Sequence, residues 1–498
     1  VASVRRRTKI LATLGPATDP PGVLEALVRE GMDGARINCA HGTPEDWRAR
    51  AAGVRSAAAA AGRPIALLMD LAGPKMRLSS NIEERELERG DEVAFAAAGA
   101  GVDGAIPVDW HGFAELVSAG RSELVVGDGT PRLTAVRIEG EGDGRRVIGR
   151  VVRPGMLGPR KGLAVTFAHR EAPALSERDL ADLDIAVELC ADLIALSFVR
   201  SAADIRALRH ELVARGSRAR VVAKIEKAEA IEALEPIIAE ADAIMVARGD
   251  LGVEVGVARV PLLQKDIIRR STEAGRLVIT ATQMLESMVR SPEPTRAEAT
   301  DVANAVIDGT SALMLSGETA AGRYPVEAVA AMAEIALEAE GVESVPSHAT
   351  LREADEAAVM HAAVMLAGAI DARAIVVPTS TGGSARACAR HRPRQLIIAL
   401  ALSQEVANQL ALEWGVVARV VEGAETLDDF IEKVLRGAQA AARLPYGAQV
   451  VLTYGPVVNR PGSTSFIVVR RLERPRPGHA PWRQAIHRSP DRPVRRGR

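Results

Sequence analysis

Apolar and polar positions alternate on two scales along the first two-thirds of the chain. Short apolar runs at 9–14, 34–38, 65–70, 193–199, 221–226, 243–247, 277–282 and 312–315 are separated by helix-length amphipathic spans, such as 21–30 and 262–273. Such strand–helix alternation builds a parallel sheet covered on both faces. Eight repeats predict a closed (β/α)₈ barrel, whose functional groups sit at the C-terminal strand ends. The runs end in Arg36 and Asn38, Asp70, Ser197, Lys224 and Glu226, Arg248 and Asp250, Thr280 and Thr282, and Ser316. An open doubly wound sheet is the alternative, but it does not require a polar tip on nearly every strand.

The alternation breaks once. From 75 to 166 the pattern turns β-like with Gly-containing turns (GDEVAF, ELVVGDGTPRL, RRVIGRVVRPG), which predicts an all-β insertion after the third strand. Inserted in a strand-to-helix loop of a barrel, it would lie over the site, as a lid or as a purely structural module. Beyond 339 a second α/β unit follows, with a helix at 356–370, strands at 374–377, 395–400, 417–421, 449–452 and 465–469, and a helix at 427–442. The division is 1–74 with 167–340 as barrel, 75–166 as lid, 341–471 as C-terminal unit, and 472–498 as a Pro- and Arg-containing tail expected to be disordered.

The stretch 220–250 concentrates the chemistry. RVVAKIE and AIMVARGD are both apolar runs ending in charge, with Lys224 and Glu226 two apart and Arg248 and Asp250 two apart. Residues two apart on a strand share a face, so each tip would present a cation and a carboxylate together. Two carboxylates beside a phosphate are how Mg²⁺ is ordinarily held; a buried ion-pair network is the plainer alternative. Gly249–Gly252 can open a helical turn whose amides take an anion. Thr282 puts a hydroxyl at a neighbouring tip. In the C-terminal unit, Thr379, Ser380, Thr381, Gly382, Gly383 and Ser384 join a strand to a helix, as a phosphate cradle or a plain capped turn.

Composition narrows the classes. The 498 residues are 47% hydrophobic and 26% charged, enough for sizeable cores, while 3% aromatics leave those cores to Ala, Val, Leu and Ile. A net charge of −1 gives no general reason to expect a nucleic-acid partner. Three scattered cysteines, Cys39, Cys190 and Cys388, suit a reducing compartment and a cytoplasmic location. No run reaches the roughly 18 apolar residues of a membrane span, so no membrane partner is expected.

With these residues in place, the chain resembles the pyruvate kinase family over roughly 8–470. The matching runs are TKILATLGPAT, ARINCAHG, LMDLAGPKMR, GPRKG, VVAKIEKAEAI, AIMVARGDLGVE, ATQMLESM, PTRAEATDVANAVIDGTSALMLSGETAAGRYPVEAV and ARHRP. The resemblance implies a TIM-barrel catalytic domain, a β-barrel lid, a C-terminal effector and oligomerisation domain, and a homotetramer. It implies phosphoryl transfer from phosphoenolpyruvate to ADP with Mg²⁺, or Mn²⁺ in its place. By the same resemblance, Arg36 binds the transferred group, Lys224 stabilises its charge, and Glu226 and Asp250 hold the metal. The Gly249 and Asp250 amides take the substrate carboxylate, and Thr282 lies near C3. Arg77 and Lys161 match nucleotide-phosphate contacts, and Asn38 and His41 lie in a run used near nucleotide and monovalent cation. The loop 379–384 would take a phosphorylated effector.

Departures from the family pattern are equally legible. Of the four residues of the monovalent-cation site, Asn38 and Asp70 remain, but the Ser position is Ala40 and the Thr position Leu71; the usual Glu of the GPEIR run is Lys75. Two lost oxygens and one gained ammonium predict an enzyme that does not require K⁺. The lysine before the Gly-Pro is Ala72, and LAVTFAHREAP replaces the usual hinge after GPRKG. A metal-dependent lyase acting on pyruvate-type enolates, or a silent regulatory homologue, are the alternative readings.

Overall fold

The computed structural model describes residues 6–74, 76–110, 112–127, 129–165, 173–342, 355–423, 426–455 and 464–474. Lys75, most of the altered hinge and the tail from 475 lie outside them. Eight strands, β1 (Lys9–Thr13), β2 (Gly34–Asn38), β3 (Ala66–Asp70), β4 (Leu193–Leu196), β5 (Arg220–Ile225), β6 (Ala243–Ala247), β7 (Leu277–Ala281) and β8 (Ala312–Leu315), close into one barrel. Every pairing is parallel and joins sequence neighbours, with β1 closing on β8 in the register Lys9↔Ala312 to Ala12↔Leu315. The alternation thus reads correctly.

The period of two along each strand explains both core and site. One parity lines the barrel interior with Leu11, Ala66, Leu68, Leu193, Ala195, Val222, Met245 and Ile279. Continued by two residues, the same parity delivers Thr13, Asp70, Ser197 and Lys224 to the C-terminal mouth. The opposite parity packs outward against the helices, as with Ile10, Ile37, Met69, Ile194 and Ile244. At the opposite end, Ala411 and Leu412 of the C-terminal unit join the interior cluster, and a Cβ on Gly34 would come 2.9 Å from Leu412. Lys9 is buried beside this plug, and its ammonium donates to the Val416 carbonyl at 2.7 Å.

Between β3 and β4 the insertion forms a six-stranded sheet, with Leu163–Val165, Glu123–Val126, Arg132–Glu139, Arg146–Arg153, Glu92–Ala97 and Ile106–Val108 in that spatial order. Arg77 bridges to Gly162 at one edge and Leu78 to Val108 at the other, closing the sheet on itself. The C-terminal unit is a five-stranded sheet ordered Val416–Val420, Leu396–Ala401, Ala374–Thr379, Gln449–Tyr454, Phe466–Arg471, parallel except for the last pairing. No helix among the described residues is long and apolar enough to cross a membrane.

Candidate active site

Lys224 is the hub of the barrel mouth. Its Nζ donates to Ser197 Oγ at 2.7 Å and lies 3.2 Å from Asp70 Oδ1 and 3.0 Å from Glu226 Oε1. Burial disfavours the ammonium, but Asp70 and Glu226 outweigh it and hold the Lys224 pKa above the usual lysine range. Asp70 is itself 1% exposed. Burial would raise its pKa, yet Lys224 and Arg36 hold it below the ordinary carboxylate value. Arg36 reaches Asp70 Oδ2 through two nitrogens, at 2.8 and 2.7 Å, and also Thr13 Oγ1 at 3.0 Å. The Thr13 hydroxyl in turn donates to Leu315 O at 2.8 Å, so a hydrogen bond to β8 fixes the guanidinium.

Glu226 stands one residue past β5 and accepts the Phe198 amide at 2.7 Å. Phe198 adopts a φ of 57°, a left-handed turn that aims that amide inward. Burial first, then the charge of Asp250, raises the Glu226 pKa against the opposing pull of Lys224. Glu226, with Asp250 near enough to disfavour its charge in a buried mouth, forms with that second carboxylate a donor set suited to a hard divalent cation. No group of three or more His, Cys, Asp or Glu with metal-binding geometry occurs among the described residues. A cation held here would take its other ligands from substrate and solvent.

The shared-face reading of the charged pairs holds for Lys224 with Glu226 and fails for Arg248 with Asp250. β6 ends at Ala247, and Arg248–Val255 is a helix, where residues two apart diverge. Arg248 turns away to Asp301 Oδ2 at 2.7 Å and to the Thr282 carbonyl at 2.7 Å, tying the β6 and β7 loops together. Asp250, in the first helical turn, remains close enough to Glu226 to act on its charge. The Gly249 amide donates to Thr282 Oγ1 at 2.8 Å, and Thr282 Oγ1 to Ala281 O at 2.7 Å. Thr282 holds a φ of 69°, uncommon for a β-branched residue, so its hydroxyl position is imposed by the loop.

Arg77 and Lys161 meet in the insertion, where Arg77 bridges to Gly162 and the Leu78 amide donates to Lys161 O at 2.9 Å. Lys161 Nζ donates to Met156 O at 2.7 Å. Burial, then Arg77, Arg36, Arg178 and Arg160, lowers the His41 pKa, so this imidazole faces guanidiniums of both barrel and insertion. Its loop is pinned by Trp47, whose ring N–H donates to His41 O at 2.8 Å under a helix capped by Thr43 and Asp46. Asn38 pairs in register with Asp70, and its Oδ1 accepts the Ala40 amide at 3.1 Å. Thr13 and Ser197 complete the cluster, although neither was singled out from the sequence as a functional residue. Ser197 stood among the polar strand tips, and Thr13 gave no signal of its own.

The loop 379–384 is more self-contained than a phosphate cradle requires. Thr379 Oγ1 accepts the Gly382 amide at 2.9 Å, and Ser384 Oγ hydrogen-bonds to the Glu356 carboxylate. Ser380 is half-buried, Thr381 is exposed, and Gly383 opens a helix of seven residues, Gly383–Ala389.

Residues 5–329 match the family described as "Pyruvate kinase, barrel domain", and residues 357–470 match "Pyruvate kinase, alpha/beta domain". A pyruvate kinase of Mycobacterium tuberculosis is 41% identical over 473 residues, covering 94% of this chain and 98% of that protein. One from Geobacillus stearothermophilus is 38% identical over 479 residues, covering 94% and 80%. One from Clostridium acetobutylicum is 35% identical over 477 residues, covering 94% and 100%.

Proposed function

The chain belongs to the pyruvate kinase family, and from that premise we propose that its barrel mouth moves the phosphoryl group of phosphoenolpyruvate to ADP, giving pyruvate and ATP. The observation that carries the reading is the Lys224 ammonium, held by three side chains beside Arg36. Phosphoryl transfer requires little covalent work from protein; it requires fixed positive charge around the equatorial oxygens. Arg36 binds the group before transfer, and Lys224 meets the charge that spreads over it. Neither pays much reorganisation, because Asp70, Ser197 and Thr13 hold both in place.

Mg²⁺, bound by Glu226 and Asp250, would neutralise phosphate charge and orient the substrate. The first amides of the Arg248–Val255 helix, Gly249 and Asp250, receive the carboxylate. Breaking the phosphate ester leaves the enolate of pyruvate, which takes a proton at C3. We assign the passing of that proton to Thr282; the assignment is supported by its hydroxyl, which accepts the amide of Gly249, the proposed carboxylate anchor. Arg77, Lys161, Asn38 and His41 form the nucleotide side. A lyase acting on enolates would have no use for Lys224 or for the insertion's cations, and the intact mouth disfavours a silent homologue.

The family generally requires Mg²⁺ and usually K⁺; we extend the proposal to independence from K⁺. Ala40 and Leu71 supply no side-chain oxygen, and Asp70 already faces two cations. The sequence adds Lys75 as a further charge. A homotetramer, a phosphorylated effector and a cytoplasmic location belong to the same proposal, as do the four segments 1–74 with 167–340, 75–166, 341–471 and 472–498. Pyruvate formation from phosphoenolpyruvate and ADP, followed through a coupled dehydrogenase, tests the central assignment. Mg²⁺-dependent turnover that collapses in Lys224→Met supports it; its absence in the wild-type chain overturns it.

A further inference from the structure

Lys227 and Glu254 form a hydrogen-bonded ion pair that joins the same two segments as the proposed metal carboxylates. Lys227 directly follows Glu226 and stands at the N-cap of the helix Ala228–Glu232. Glu254 lies one turn beyond Asp250 on the helix Arg248–Val255, so these two carboxylates share a helix face. The pair is largely withdrawn from water, with side chains 20% and 8% exposed.

Glu226 and Asp250 belong to separate elements. Glu226 follows β5 and is fixed by the Phe198 amide at 2.7 Å. Asp250 rides on a short helix, whose seat sets its distance from Glu226. Arg248 and the Gly249 amide tie the first turn of that helix to the β7 loop. Arg132 of the insertion reaches its last turn and donates to Val253 O at 3.1 Å. Those ties lead away from β5. Lys227 leads back to it, and its partner sits on the face that carries Asp250. A pair this buried adds little net stability, because desolvation offsets much of the attraction. It does impose a fixed spacing between loop and helix.

We infer that Lys227 and Glu254 are positioning residues for a divalent cation, setting the separation of Glu226 and Asp250 from one turn away. The inference rests on the assignment of those two carboxylates to the metal. A small hard cation demands a narrow range of oxygen positions, and groups that only orient its ligands govern affinity strongly. An ammonium cannot ligate a cation, and Glu254 is engaged by Lys227. The pair therefore acts through the backbone of loop and helix.

Titration of the full chain with Mn²⁺ alone, followed by electron paramagnetic resonance, tests this without turnover. The wild-type chain should bind Mn²⁺ saturably, and Glu226→Gln should lose that binding. Lys227→Met and Glu254→Met should each weaken it about 10–100-fold, although they change the local charge in opposite directions. The double variant should be no weaker than the worse single one, and Lys227→Arg should recover most of the affinity lost in Lys227→Met. The double variant replaces the whole pair by apolar side chains, so it carries the test if Lys227→Met, which strands a buried carboxylate, does not fold. Tighter binding in Lys227→Met beside weaker binding in Glu254→Met would reveal a through-space charge effect and overturn the inference. Additive losses in the double variant would overturn it too, as would unchanged affinity in the folded variants while Glu226→Gln still loses the ion. No saturable binding in the wild-type chain, or binding that survives Glu226→Gln, would overturn the metal assignment and this inference with it.

Discussion

Lys224 Nζ stands 3.2 Å from the carboxylate of Asp70, the same carboxylate that Arg36 grips at 2.7 Å. One buried anion thus spaces two cations around the place where a phosphoryl group would pass. Lys224→Met should lower kcat by about 10²–10³, the cost of removing one preorganised charge from a developing transition state. The KM for phosphoenolpyruvate should change little, because Arg36 still binds the ground state. Steady-state kinetics check this; a rise in KM with unchanged kcat would assign Lys224 to uniform binding instead.

Thr282 offers a separable readout. Its hydroxyl bridges the Gly249 amide and Ala281 O, so Thr282→Ala should impair proton delivery more than phosphoryl transfer. Exchange of pyruvate methyl hydrogens with D₂O, followed by NMR, should fall by about 10². Equal losses in exchange and in ATP formation would instead indicate a general disturbance of the loop.

The barrel was legible because two periods act at once: two along each strand, and one strand-plus-helix unit along the chain. Asp70, Lys224 and Glu226 were legible because a charge closing an apolar run has no place in a core. The Arg248–Asp250 pair was misread although the strand 243–247 was placed correctly, because a helix begins directly at Arg248 and the period of two no longer holds beyond Ala247. Ser197 and Thr13 give no sign alone, because hydroxyls near strand ends are common; only their contacts with Lys224 and Arg36 distinguish them.

Gly73 marks a steric requirement at the entrance to the insertion. Its φ is 69°, and a Cβ there would lie 2.8 Å from the Cβ of Ser197 and 2.9 Å from the Phe198 ring. Gly73→Ala should cost about 1–3 kcal/mol through backbone strain and overpacking. Because Ser197 holds Lys224 and Phe198 holds Glu226, the variant should also lose turnover. A lowered thermal midpoint with full activity would show that the displacement is absorbed elsewhere.

Lys9 supplies a pH signature outside the mouth. Burial is the main cause that lowers its pKa from 10.5 to about 8, with Asp33 opposing. Between those values the unfolded chain binds more protons than the folded one, so stability rises as pH climbs from 8 toward 10.5. The gain is roughly 3 kcal/mol if the whole shift is realised. Lys9→Met should flatten that rise and be more stable than the parent below pH 8. Thermal midpoints across the range check both; parallel curves for the two proteins would contradict the assignment.

The most direct test is the initial rate of pyruvate formation with phosphoenolpyruvate, ADP and Mg²⁺, compared between K⁺ and a bulky organic cation at constant ionic strength. Asp70 held by Arg36 and Lys224, with Ala40 and Leu71 lacking ligand oxygens, predicts comparable rates in the two buffers. A steep rise when K⁺ is supplied would contradict the account.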